Sequence, residues 1–197
     1  RSYRGLLELD VADNHISFRG ASELGAALSL GVVRTLNLGG NAIGVRGVRA
    51  VGTAMARCGS VTSLDIGSTN CGPIGLGDII AALEHCPAMT YLNLERNALA
   101  LLGAELLAAA LSSGKARALK TLVLHGNGLG DVGVGHITGA LGTPTAEPRV
   151  GGVRPSRAGL TSLDVSDNGL LEEGARACAE ALSRCTTLAS LSLQQND

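Results

Sequence analysis

The sequence predicts an α/β solenoid, a row of short parallel strands each followed by a helix, on three observations. One phrase recurs seven times: an apolar residue, two spacers, Leu-x-Leu/Val/Ile, two spacers and Asn, starting at Leu6, Val33, Val61, Met89, Leu119, Leu160 and Leu188. The start-to-start spacings are 27, 28, 28, 30, 41 and 28 residues, a period that marks stacked supersecondary units. Within each phrase apolar residues alternate, and after it they recur at helical spacing.

The strand half comes first in each unit. Leu9 and Val11, Leu36 and Leu38, Leu64 and Ile66, and Leu92 and Leu94 are spaced by two, so each pair faces one side of a strand. The phrase closes on Asn14, Asn41, Asn97, Asn127, Asn168 and Asn196, with Thr69 in the third unit. A buried amide there can bond turn groups of a neighbouring unit that would otherwise go unpaired. Two residues on stands an apolar plug: Ile16, Ile43, Cys71, Leu99, Leu129 or Leu170. Six residues after the Asn or Thr comes Gly20, Gly47, Gly75, Gly103, Gly133 or Gly174, where bulk or a restricted backbone would be awkward.

The helix half follows the glycine. Its expected buried columns are Ala21/Leu24/Leu28, Val48/Val51/Met55, Leu76/Ile79/Leu83, Ala104/Leu107/Leu111, Val134/Ile137/Leu141 and Ala175/Cys178/Leu182. Positions i, i+3 and i+7 share one helix face, which gives each helix a stripe to bury against the strands. No unit is large enough to fold alone, so neighbours must stack.

The pattern N-x-I-x-x-x-G-A-x-x-L-A-x-A-L after L-x-x-L-x-L resembles the leucine-rich repeat of the ribonuclease-inhibitor type. G-A-S-E-L-G-A-A-L at Gly20 and G-A-E-L-L-A-A-A-L at Gly103 are close matches, and the resemblance covers essentially the whole chain. It implies a leucine-rich-repeat solenoid, a horseshoe arc with parallel β-strands on the concave face and α-helices on the convex face. It implies no single activity, because this subclass includes inhibitors, GTPase activators, innate immune sensors and cytoskeletal scaffolds.

The 197 residues are expected to form a single repeat domain spanning 1–197, with six full repeats, the strand of a seventh and an inserted loop at 142–159. Both ends cut into the pattern, so a fragment of a longer protein is expected. Six strand-to-strand steps of about 4.8 Å give an arc of about 29 Å along the stack. Hydrophobic content of 45% with one Phe, two Tyr and no Trp suits a core of Leu, Ala, Val and Ile. A net charge of −1 gives no reason to expect nucleic acid or an anionic membrane, and no apolar run approaches the roughly 18 residues of a span. Cys58, Cys86 and Cys185 each precede a new unit by three positions, Cys71 is a plug and Cys178 is a helix-core residue. An odd number of cysteines at such places predicts reduced, buried thiols and an intracellular, cytoplasmic protein, with cytoskeletal or ciliary association open.

Catalytic, cofactor and metal sites are not expected. G-L-G-D-V-G at Gly128–Gly133 matches a dinucleotide fingerprint formally, but it falls on the same repeat loop as N-A-I-G-V-R-G at Asn41. His15, His85, His125 and His136 share no ligand spacing, and C-x-x-C is absent.

The expected function is a non-enzymatic protein–protein interaction scaffold. Three alternatives stay open: a GTPase activator of the Ran type, the recognition module of an innate-immune-type sensor or inhibitor, or a structural part of a larger assembly such as cilium or cytoskeleton. The first needs an Asn- and acid-bearing loop surface near one end, which does not map onto this chain. The outward columns of the strands hold seven carboxylates against one arginine. They name Glu8, Asp10, Asp13, Asp65, Tyr91, Glu95, Arg96, His125, Asp164 and Asp167 as candidate contacts for a protein partner with a basic surface. Nucleic acid, membrane and small-molecule substrates are not expected. A second candidate is an apolar rim of Phe18, Val45, Pro73 and Leu101, with Ile74 and Leu102 in the next column. The third is the inserted loop, with three of the five prolines and three arginines, which reads as a tolerated surface insertion.

Overall fold

In the computed structural model the described residues are 5–142 and 159–196. Seven three-residue strands alternate with six helices among them: β1 Glu8–Asp10, α1 Phe18–Leu28, β2 Thr35–Asn37, α2 Gly44–Cys58, β3 Ser63–Asp65, α3 Gly72–Leu83, β4 Tyr91–Asn93, α4 Ala100–Ser113, β5 Thr121–Val123, α5 Gly130–Gly142, β6 Ser162–Asp164, α6 Glu172–Leu182 and β7 Ser190–Ser192. The strands form one parallel sheet in sequence order. Their register is the repeat register: Leu9, Leu36, Leu64, Leu92, Leu122, Leu163 and Leu191 lie side by side across it.

The core lies between this sheet and the helices. Leu36, Leu38, Leu64, Ile66, Leu92 and Leu94 from the strands meet Val48, Val51, Met55, Leu76, Ile79, Ala104 and Leu107 from the helices, all under 5% exposed. Plugs Ile43, Cys71, Leu99, Leu129 and Leu170 close one end of each unit.

The asparagine column is a hydrogen-bonded ladder. Asn97 Oδ1 accepts from the backbone N–H of Thr69 and Cys71 at 3.2 and 3.0 Å, and its Nδ2 donates to Ile66 O at 2.7 Å in the preceding repeat and to Leu94 O at 3.2 Å in its own. Asn127 repeats this against Asn97 N and Leu99 N, Asn168 against Asn127 N and Leu129 N, and Asn196 against Asn168 N and Leu170 N. Thr69 breaks the ladder. Its shorter hydroxyl turns to Ile66 O and Asn97 Oδ1, and Ile43 N bonds Asn41 O at 2.7 Å instead.

The loop glycine six residues beyond the Asn has a steric cause. None of the six has positive φ. A Cβ at Gly103 would lie 2.5 Å from Leu99 Cβ, and one at Gly47 would lie 2.7 Å from Ile43 Cβ. The first helical turn presses on its own plug, and only a hydrogen fits. Left-handed backbone sits one residue before the Asn column instead, at Asp13, Gly40, Ser68, Arg96, Gly126, Asp167 and Gln195, with φ between 49° and 68°. Gly128, in the loop of the fifth repeat, and Gly130, the first residue of α5, are left-handed too, with φ of 64° and 63°.

Two expectations need correcting. In α6 the buried residues are Gly174, Cys178 and Ala181, while Ala175 and Leu182 are exposed. Among the described residues α6 is packed by a helix on the α5 side only, so its stripe narrows. Of the five cysteines, Cys71, Cys86 and Cys178 are buried, but Cys58 and Cys185 are only half-buried. Both lie at or just beyond a helix C-terminus, where cover thins. Residues 143–158, nearly all of the expected insertion, lie outside the described residues.

Candidate functional site

The open face of the sheet, away from the helices, gathers the sequence-named columns. The first strand positions align Glu8, Thr35, Ser63, Tyr91, Thr121, Ser162 and Ser190; the third align Asp10, Asn37, Asp65, Asn93, Val123, Asp164 and Ser192. Glu8, Asp10 and Asp13 stand at one end of the row, Asp65, Tyr91, Glu95 and Arg96 at its centre, and His125, Asp164 and Asp167 in its second half. They share a face, not a pocket.

The third-position column has a structural task that sequence reasoning missed. Asp10, Asn37, Asp65, Asn93 and Asp164 each accept, through Oδ1, the backbone N–H two residues on, at 2.9–3.1 Å. Each closes the turn leaving its strand. Asn37 Nδ2 donates to Asp10 Oδ2 at 3.1 Å, and Asn93 Nδ2 donates to Asp65 Oδ2 at 3.0 Å. An amide between two carboxylates replaces like-charge repulsion with a hydrogen bond. The available signal was the alternation Asp-Asn-Asp-Asn in one column.

Other carboxylates remain uncommitted. Among the described residues, the side chains of Glu8, Asp13 and Glu95 have no hydrogen bond or ion pair. Tyr91 is half-buried between two acidic neighbours; burial first, then the charges of Asp65 and Glu95, raise its phenol above the ordinary range. Arg96 reaches only His125, at 3.5 Å.

His125 belongs to a chain of polar contacts that superficially resembles a catalytic triad. Its Nδ1 is 3.0 Å from Ser166 Oγ, and its Nε2 is 3.8 Å from Asp167 Oδ2. Ser166 Oγ, however, donates to Asp164 Oδ1. The hydroxyl proton is engaged by a carboxylate, so His125 is placed as a donor to Oγ rather than as its base. Ser166 is also only 5% exposed. No group of three or more His, Cys, Asp or Glu among the described residues could hold a metal ion.

On the rim, Phe18, Val45 and Pro73 are half-buried, while Leu101 and Leu102 are 41% and 53% exposed. Arg46 stands over the Phe18 ring at 4.1 Å. Sequence reasoning missed Val132 and Leu171, exposed at 59% and 55% on the same edge.

A strand-loop-helix unit repeated in register on one parallel sheet, with an asparagine ladder joining the units, decides the fold class. This is a leucine-rich-repeat solenoid. A family model described as "Leucine Rich repeat" matches residues 6–25, 32–52 and 160–177. Among solved structures the solenoid is similar to the leiomodin-1 actin-binding site 2, with a TM-score of 0.57, 19% identity, and coverage of 63% of this chain and 73% of that one. An internalin from Listeria monocytogenes matches with a TM-score of 0.37 and 16% identity, over 98% of this chain and 62% of that one. No curated protein matches significantly. No helix among the described residues is long and apolar enough to cross a membrane.

Proposed function

We propose that the solenoid is a non-enzymatic, cytoplasmic scaffold whose open sheet face holds a protein partner through a basic surface. The carrying observation is the charge of that face: seven carboxylates against one arginine in a chain whose net charge is −1. Among the described residues the side chains of Glu8, Asp13 and Glu95 take no part in the fold's hydrogen bonds or ion pairs, so their charge is available to a partner. The surface is ordered before binding by the ladder and the turn-closing column, so little entropy is lost on docking. A stable contact of roughly 600–1,000 Å² per partner would span several repeats.

The test is affinity capture from cells with the wild-type protein and with Glu8→Lys/Asp13→Asn/Glu95→Lys. Asp10, Asp65 and Asp164 are left intact because their loss would open turns. A partner lost from the variant, with unchanged thermal unfolding, supports the acidic face; an unaltered partner set removes it. The likeness to an actin-binding site favours a second reading, a cytoskeletal attachment. Co-sedimentation with filamentous actin tests that directly, and protein left in the supernatant at micromolar actin refutes it.

A further inference from the structure

A second surface runs along the N-terminal turns of the helices. The position five residues beyond the Asn column is Arg19, Arg46, Ile74, Leu102, Val132 and Glu173 in successive repeats. Ile74, Leu102 and Val132 are 64%, 53% and 59% exposed. Across the described residues 61–141, every exposed large aliphatic side chain lies on this edge, Leu101 included. Single exposed aliphatics are ordinary, but an ordered row of them marks a contact surface.

The row carries opposite charge at its ends. Arg19 and Arg46 stand at one end, with Arg46 held over Phe18 at 4.1 Å. At the other end Glu172 and Glu173 are exposed; Arg176 pairs with Glu173 and leaves Glu172 uncompensated.

We propose that this edge binds an amphipathic helix of another protein, laid across the first turns of α2 to α6. Its acidic end lies over Arg46 and its basic end over Glu172. Neighbouring helices in a packed layer stand about 8–10 Å apart. Residues i and i+7 of a partner helix are about 10.5 Å apart on one face, so each repeat meets one apolar side chain. A partner strand covers about 10 Å in three steps, and the residue three steps on points to the opposite face. The repeat spacing therefore selects a helix. This surface is separate from the acidic sheet face and does not depend on it.

The test uses two 29-residue helical peptides with the same heptad-spaced leucine seam, long enough for the four steps from α2 to α6 at about 10.5 Å each. One carries glutamates at one end and lysines at the other; the second carries lysines at both ends. Fluorescence anisotropy is expected to show the wild type binding the Glu–Lys peptide at least tenfold tighter. Ile74→Gln/Leu102→Gln/Val132→Thr should weaken it at least tenfold without moving the thermal unfolding midpoint. Arg19→Glu/Arg46→Glu, which makes both ends acidic, should invert the peptide preference. Glu8→Lys/Asp13→Asn/Glu95→Lys should leave it unchanged, which separates this surface from the sheet face. Absence of wild-type binding, a triple-variant effect below twofold, or an uninverted preference overturns the proposal. So does self-association in sedimentation velocity that the apolar triple variant abolishes, since the occupant is then a second copy of this chain.

Discussion

Replacing Asn97 with Leu removes the most heavily bonded rung of the ladder while keeping the branching and the number of side-chain heavy atoms. Asn97 is 1% exposed. Its Nδ2 serves Ile66 O, Leu94 O and Glu95 O, but each carbonyl keeps a second partner: Thr69 Oγ1 at 2.8 Å for Ile66, Asn127 Nδ2 at 2.9 Å for Leu94 and Ser68 N at 2.8 Å for Glu95. The uncompensated groups are the N–H of Thr69 and Cys71, both bonded to Asn97 Oδ1 in a buried setting. A buried donor left unsatisfied costs about 1–3 kcal/mol, so the pair costs about 2–6 kcal/mol. With a midpoint shift of about 2–4 °C per kcal/mol for a domain of this size, a mid-range loss of about 4 kcal/mol lowers Tm by about 8–16 °C. The matched control is Asn14→Leu. Asn14 is an exposed member of the same column and, among the described residues, bonds only Val11 O and Ala12 O, which water can serve. It should stay within about 0.5 kcal/mol of wild type. Urea unfolding followed by circular dichroism at 222 nm measures both. Equal losses for the two variants, or a loss below about 1 kcal/mol for Asn97→Leu, would refute the ladder as the source of stability.

The remaining expectations concern the same framework. Thr69→Asn should restore the broken rung by giving Asn41 N and Ile43 N a side-chain acceptor, raising stability by about 1 kcal/mol in the same unfolding assay. Gly103→Ala should cost about 1–3 kcal/mol through overpacking against Leu99, whose Cβ lies 2.5 Å from the new methyl position; a neutral result would return the glycine column to backbone freedom. Burial pushes the Cys71 thiol up to about 12, and burial with the neighbouring Cys58 pushes Cys86 up to about 11. Both therefore stay protonated at pH 8, where thiolate is the reactive form. Iodoacetamide at that pH should label half-buried Cys58 and Cys185 first and reach Cys71, Cys86 and Cys178 only on unfolding, as peptide mass mapping would show.

Period and alternation carry the fold so strongly in the sequence because each repeat solves the same packing problem. Leu36 and Leu64 have equivalent neighbours, so one residue type recurs. Legibility fails where a column serves two purposes. Asp65 is a surface carboxylate by position, yet its Oδ1 closes a turn and its Oδ2 takes an amide from Asn93; composition alone suggests only charge. It also fails at Leu182 in α6, which no further helix covers among the described residues. The edge is only partly legible because the apolar column of Phe18 and Val45 is half-buried, while Val132, one column over, is exposed.

The most direct test of the scaffold reading is the affinity of a captured basic partner for the wild type and for Glu8→Lys/Asp13→Asn/Glu95→Lys, titrated calorimetrically at low and high salt. An acidic docking face makes the variant bind more weakly at low salt, with the gap closing as salt screens the face. Equal affinity at both salt concentrations would contradict it, because the acidic columns would then contribute nothing to binding.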